Sequence, residues 1–232
     1  MHLEILSEDR SGSLVLEAVL HALRERRGYE YTFRIRPHRG KGYTPADPYN
    51  RPARDSVGLL DLLPAKSRAY ARVLDPAQNL LIVVMDADDI PPEQVEGEIR
   101  STLRRFASPV PHVIGICVEE IEAWMLGDRR AILAAYPDAN LKVVDHYKQD
   151  SVCGTWEVLA RCIHPESAER IIRIGYPAVG QYKHTWCRDI SKHMDVDHNA
   201  SPSFRRFLDH VDKAVRLLGG MSPIENRVCS HG

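Results

Sequence analysis

The pattern of apolar and polar positions predicts strands that alternate with helices over the first 136 residues. The strongest predicted strand is the apolar run at residues 81–85, which is rich in Val and Ile and bounded by polar residues. Such a run is typical of a strand buried on both faces of a parallel sheet. Further strands are predicted from residue 2 up to Glu8, at residues 29–35 and at residues 113–118.

Helical periodicity predicts the elements between these strands. The predicted helices span residues 14–23, 57–74, 92–106 and 119–136, and then 151–163, 165–174, 178–193 and 203–218. Alternating strands and helices favour an α/β fold with a mainly parallel, Rossmann-like sheet. No strand is predicted beyond residue 137. We therefore expect an α/β domain at residues 1–136, a helical C-terminal extension at residues 137–220 and a tail at residues 221–232.

Acidic residues follow three of the predicted strands. Asp86 and Asp88 end the strongest strand, Glu8 ends the first, and Glu119 and Glu122 follow the run at residues 113–118, where they are expected to share a helix face. Ligands of open α/β sheets bind outside the carboxyl ends of the strands. Close carboxylates repel, and a hard cation such as Mg²⁺ is the usual reason to keep them together. Singly, each residue is equally compatible with a helix cap or a dipole contact.

The three acidic elements resemble those of Toprim domains, found in topoisomerases, primases and the overcoming-lysogenization-defect nucleases. The segment at residues 118–128 is also similar to one in the Toprim-like DUF4276 family. The resemblance implies an Mg²⁺- or Mn²⁺-dependent nuclease that works beside an ATPase in defence against phage. It implies that Glu8, Asp86, Asp88 and Glu122 are catalytic and that the same four with Glu119 are metal ligands. It also makes Lys183 and Lys192 candidates for phosphate contact, with ordinary surface lysines as the alternative for both.

One departure from the family pattern keeps a second interpretation open. Relatives carry Gly after the first Glu and often a further acidic residue about four positions on, whereas this chain has Asp9 and Gly12. Asp9 is a candidate for the missing oxygen ligand. The alternative hypothesis is a binding or regulatory module that holds a metal or a partner without catalysis.

Basic residues are concentrated in the Pro- and Gly-rich segment after the second predicted strand. Residues 34–54 hold six basic residues and one acid, Asp47, and the predicted nucleic-acid contacts among them are Arg36, Arg39, Lys41 and Arg51. Basic side chains with interleaved tyrosines suit a nucleic-acid backbone, DNA or RNA. A solvated loop and a docking surface for a partner ATPase remain alternatives.

Composition excludes several classes of protein. The formal net charge of the 232 residues is −1, so no overall field attracts nucleic acid or a membrane surface. No apolar run is long enough for a membrane span, and no P-loop motif is present, so any ATP use is expected from another chain. Five cysteines without a C-x-x-C pair favour reduced thiols in the cytoplasm. Oligomerisation stays possible.

Overall fold

The structure, a computed structural model, describes residues 1–219. Four strands form one parallel sheet in the order β2-β1-β3-β4. They are β1 (His2–Ser7), β2 (Thr32–Pro37), β3 (Asn79–Asp86) and β4 (His112–Cys117). The predicted α/β class with a parallel, Rossmann-like sheet is therefore confirmed.

Strand order places a crevice at the carboxyl edge of the sheet. The chain passes from β1 to β2 on one side and then crosses to β3 on the other side of β1. The strand order thus reverses between β1 and β3, and ligands of open α/β sheets bind at such a switch point. In the register, Ser7 lies opposite Val84, so β1 and β3 deliver the residues that follow them to the same edge.

Ten helices lie within residues 1–219. They are α1 (Arg10–Arg27), α2 (Leu59–Val73), α3 (Pro92–Phe106), α4 (Glu122–Leu126), α5 (Arg129–Ala135), α6 (Lys142–Asp145), α7 (Thr155–Ile163), α8 (Ala168–Ile174), α9 (Val179–Ser191) and α10 (Pro202–Leu217). Asp9 starts α1 by accepting the Gly12 N–H at 2.7 Å, and Gly28, with φ of 65°, ends it.

Alternating strand residues bury two apolar cores on opposite faces of the sheet. Leu81, Val83 and Met85 pack with α2 and α3, whereas Leu80 and Ile82 pack with α1 and the helices after residue 120. The core on the α1 face of the sheet is continuous from the strands to α9 and α10. It therefore crosses the predicted domain boundary after residue 136. The C-terminal helices thus complete the sheet packing in the described chain.

Several predicted boundaries differ from the structure. The second strand begins at Thr32, later than the predicted residue 29, and a short helix, α6, was not predicted. The predicted helix at 119–136 is wrong as one element, because Asp128 accepts the Ala131 N–H and starts α5 separately from α4. The predicted tail at 221–232 lies outside the described residues. Within residues 1–219, no helix is long and apolar enough to cross a membrane.

Candidate carboxylate site at the sheet edge

Glu8 and Asp86 meet at the switch point of the sheet. Glu8 directly follows β1, and Asp86 is the last residue of the adjacent strand β3. The Glu8 carboxylate accepts the Asp86 backbone N–H at 3.2 Å. The prediction that these two residues share one edge of the sheet is therefore confirmed.

Asp88 lies beside the same edge but is paired with a lysine. Lys41 Nζ donates to the Asp88 carboxylate at 2.7 Å and to the Ala87 carbonyl oxygen at 3.1 Å. Asp88 has a left-handed backbone, with φ of 51°, and its side chain is half exposed. Lys41, predicted as a phosphate contact, is thus placed in the acidic site itself.

Glu122 reaches the site from the first turn of α4 and is completely buried. Lys183 on α9 lies 3.4 Å from a Glu122 carboxylate oxygen, donates to Glu120 at 2.8 Å and donates to the Tyr176 hydroxyl at 2.9 Å. Neither oxygen of Glu122 accepts a hydrogen bond within the described part of the chain. An isolated lysine contact therefore leaves this buried carboxylate with unused acceptor capacity.

The crowded carboxyls hold their protons more tightly than usual. Burial, with the charge of Asp88, raises the pKa of Glu8 to about 7. Burial raises the pKa of Glu122 to about 7 even though Lys183 acts to lower it. Burial, with the charges of Glu8 and Glu122, also raises the pKa of Asp86 well above its ordinary value. The site therefore carries carboxyls that exchange protons near neutral pH.

Lys183 keeps its charge in this surrounding. Burial acts to lower the pKa of Lys183, but the nearby charges of Glu122 and Glu120 outweigh it and raise that pKa above its ordinary value. The side chain is only 12% exposed. A buried ammonium group of this kind is a fixed positive charge on the acidic site.

Glu119 has a different role from the one its spacing predicted. The expectation that Glu119 and Glu122 share a helix face is wrong, because α4 begins at Glu122 and Glu119 has a left-handed backbone with φ of 62°. The Glu119 carboxylate accepts the N–H groups of Cys153, Gly154 and Thr155 at 2.8–3.2 Å. These are orphan donors at the start of α7, so Glu119 caps that helix.

The donor chemistry fits a divalent cation, whereas the described side chains do not lie close enough together to enclose one. Carboxylate oxygens are the ligands that Mg²⁺ and Mn²⁺ prefer, and neither oxygen of Glu122 is used by a hydrogen bond in residues 1–219. Among residues 1–219, however, no three His, Cys, Asp or Glu side chains converge closely enough to hold a metal ion. Metal binding by Glu8, Asp86, Asp88 and Glu122 stays a prediction.

Arg36 lies away from the acidic site. Its guanidinium pairs with the buried Glu4 carboxylate, which also accepts the Tyr70 hydroxyl at 2.8 Å. Glu4 is on β1 and Tyr70 on α2, so this cluster lies on the α2 face of the sheet. The Arg36 charge is therefore used to neutralise a buried acid.

The remaining predicted basic contacts are spread over the surface. Arg39 is exposed, and exposed Arg51 lines a cavity of about 330 Å³ with Tyr43. Lys192 follows α9 and lies in a groove with Arg26 at the end of α1, which is the amino edge of the sheet. The structure therefore brings only Lys41 and Lys183 to the carboxylates.

Two side chains of the site, Glu120 and Tyr176, were not predicted, and Asp9 was predicted only as a substitute oxygen ligand. The negative charge of Asp9 acts to raise the pKa values of Glu8, Asp86 and Glu122, and the Asp9 carboxylate also caps α1. Glu120 and Tyr176 hold Lys183 in place. The Glu120 position was open to prediction because it adjoins Glu119, but Tyr176 comes from the turn between α8 and α9 and carries no local signal.

In comparisons with protein-family models, with curated proteins and with solved structures, no match to this chain was found.

Proposed function

We propose that this protein is a divalent-cation-dependent nuclease that hydrolyses a nucleic-acid phosphodiester at the carboxyl edge of its sheet. One observation carries the proposal: the buried Glu122 carboxylate accepts no hydrogen bond in the described chain, and its charge and that of Glu8 both act on Asp86 at the switch point. A cluster of this kind is stabilised by a cation that the carboxylates share.

The residues have distinct roles in this proposal. Glu8, Asp86 and Glu122 would hold Mg²⁺ or Mn²⁺, with Asp88 as a further ligand. When bound, the cation would supply an activated water and stabilise charge on the leaving oxygen. Glu8, whose pKa is about 7, is suited to accept a proton at its carboxylate near neutral pH.

The two lysines of the site give it positive charge. Lys41 holds its ammonium group beside Asp88, at the open side of the site, where a phosphate oxygen of the substrate would arrive. Lys183 is nearly buried and anchors Glu120 and Glu122 from α9. We assign Lys41 to the substrate and Lys183 to the positioning of the carboxylates.

The resemblance to Toprim-like nucleases supplies the wider setting of the proposal. It makes the chain the effector of an anti-phage pair, with an ATPase encoded nearby as the partner, while the cysteine pattern favours the cytoplasm. The substrate is DNA or RNA, and cleavage of labelled forms of each distinguishes them.

A non-catalytic module is the second candidate, and a specific observation favours it. Lys41 and Lys183 already neutralise Asp88 and Glu120, and no three acidic side chains in residues 1–219 enclose a metal ion. In that case the site would bind a metal or a partner without turnover.

A cleavage assay separates the two candidates. Purified protein, alone and with the neighbouring ATPase, is incubated with labelled single- and double-stranded DNA and with RNA in Mg²⁺ or Mn²⁺. We expect cleavage that chelation stops and that Asp86→Asn abolishes. Asp89→Asn is the matched control, because Asp89 is exposed and adjoins Asp88 in sequence. Metal binding without cleavage of any substrate would establish the module instead.

A further inference from the structure

A second candidate site lies on the helical part of the chain, on another side of α9 from Lys183. It is a surface cavity of about 400 Å³ between α9, the end of α5 and the residue after α7. Residues at positions 181, 182, 185, 186 and 189 line it from α9, which is the spacing of one helix face. Lys183 lies about 130° around the helix from this face, given 3.6 residues per turn.

Aromatic rings form the walls of this cavity. The His164 ring lies 6.1 Å from Tyr136, 6.3 Å from Tyr182 and 5.9 Å from Trp186, measured between ring centroids. Trp186 is buried, whereas the other three rings are partly exposed. The exposed ring surface therefore offers stacking contacts to a flat ligand.

The hydrogen-bonding groups of the cavity are fixed by its own contacts. Trp186 Nε1–H donates to His164 Nε2 at 3.2 Å. An indole nitrogen only donates, so His164 Nε2 must accept and the neutral ring carries its proton on Nδ1. The exposed Gln181 adds an amide that both donates and accepts. The cavity thus presents edge donors and acceptors beside its rings.

Charge at the rim favours an anion over an organic cation. Asp189 is the one carboxylate lining the cavity, and it is paired with Arg188 at 2.8 Å and with Lys192 at 3.7 Å. It also accepts the Tyr136 hydroxyl at 3.3 Å. Asp189 and the two cations that contact it carry a net positive charge beside the cavity, and Arg188 and Lys192 keep more than half of their side-chain surface exposed.

We propose that this cavity binds a nucleobase, with the phosphate attached to that nucleotide held by Arg188 and Lys192. The base would stack on Tyr182 and hydrogen-bond with Gln181 and His164. Stacking on aromatic side chains next to basic groups is how proteins hold unpaired bases. The inference rests on the proposed nuclease function for the substrate class. It adds that the helical part of the chain holds an unpaired nucleotide of that substrate.

Binding is measured without any divalent cation, so the result is independent of catalysis at the carboxylate site. Isothermal titration in EDTA uses adenosine and uridine monophosphate, short single-stranded oligonucleotides and their duplexes, with tetramethylammonium as a cation probe. The nucleotide arm and the oligonucleotide arm distinguish a free nucleotide from a strand as the source of the base. Tighter binding of the single strand than of the mononucleotide identifies the strand.

Variants assign the binding to this cavity. Tyr182→Ala should weaken binding about 5- to 100-fold, whereas Tyr182→Phe, which retains the ring, should bind like the wild type. Gln181→Ala removes an exposed amide without loss of packing and should also weaken binding. Arg188→Ala should weaken binding of the phosphate-bearing ligands, and Arg130→Ala, which removes an exposed arginine of α5, is its matched control.

Several outcomes would overturn the inference. They are the absence of nucleotide and oligonucleotide binding in EDTA, equal binding by Tyr182→Ala and the wild type when both are folded, and binding of tetramethylammonium alone. Metal-dependent cleavage with no nucleotide binding in this cavity would remove the inference and leave the nuclease proposal standing. Nucleotide binding in this cavity without metal-dependent cleavage would remove the nuclease proposal and leave the inference standing.

Discussion

Lys183 Nζ lies 3.4 Å from a carboxylate oxygen of Glu122, and both groups are largely shielded from solvent. The lysine is shared, because its shorter contact, at 2.8 Å, is to Glu120. A buried carboxylate that is only partly compensated is costly when ionised. This explains why Glu122 stays protonated to a higher pH than usual and why a cation at the site would stabilise the fold.

The stability of the metal-free protein should fall as the pH rises. The pKa values of Glu8 and Glu122 are about 7 in the folded chain, against ordinary values of 4.5. Each carboxyl binds its proton more tightly when folded, so its contribution to stability is complete below about pH 4.5 and is lost as the pH passes 7. The loss per group is on the order of 3 kcal/mol.

Urea denaturation in EDTA across this range measures the effect. Glu8→Gln should flatten the profile, and Mg²⁺ should restore stability on the alkaline side. A wild-type profile that rises with pH between about 5 and 8 would contradict the protonation of these groups.

Glu119 should matter for stability and not for metal binding. Glu119→Ala leaves three N–H groups at the start of α7 without their acceptor, and we expect a loss of about 1–3 kcal/mol in the free energy of unfolding. Glu119→Gln retains one acceptor oxygen and should lose less. Chemical denaturation gives the stability and calorimetry the Mn²⁺ affinity. A large change in that affinity with unchanged stability would make Glu119 a ligand, as its spacing first indicated.

Replacement of Lys41 should change metal affinity, whereas replacement of the exposed arginines in residues 34–54 should change nucleic-acid binding. Lys41→Met frees Asp88, so the protein should bind Mn²⁺ several-fold more tightly while cleavage slows. Arg39 and Arg51 are exposed, and the Asp88 carboxylate is paired with Lys41 instead. Their double replacement by Ala should leave metal affinity unchanged and flatten the salt dependence of nucleic-acid binding. If the double variant binds nucleic acid normally but no longer co-purifies with the ATPase, residues 34–54 instead form a docking surface for that ATPase.

The attachment of α10 to the sheet can be tested with two glycines. A Cβ at Gly115 of β4 would lie 2.7 Å from the Phe207 ring, so Gly115→Ala should destabilise the protein by about 1–3 kcal/mol. Gly97 in α3 has open space around its Cβ position, and Gly97→Ala should stabilise by about 0.5–1 kcal/mol. Thermal and urea unfolding measure both. Equal stability of Gly115→Ala and the wild type would show that α10 is loosely packed.

The sequence predicts the carboxyl-edge placement of Glu8 and Asp86 because it depends on local signals. Apolar runs mark the strands, and parallel strands deliver their following residues to one edge. The role of Glu119 had no such signal, since it depends on a left-handed backbone and on a helix that starts 36 residues later along the chain. Long-range packing of helices also decides which lysines reach the site: Lys183 lies in it, whereas Lys192, nine residues on, lies at the other edge.

The central claim is that the carboxylates at the switch point bind a divalent cation. Isothermal titration of Mn²⁺ at about pH 8, where Glu8 and Glu122 are ionised, tests it most directly. We expect saturable binding by the wild type and by the Asp89→Asn control. Asp86→Asn and Glu122→Gln should each weaken it at least about tenfold, or ~1.4 kcal/mol. Equal Mn²⁺ affinity in all four folded proteins, or no binding by the wild type, would contradict the account.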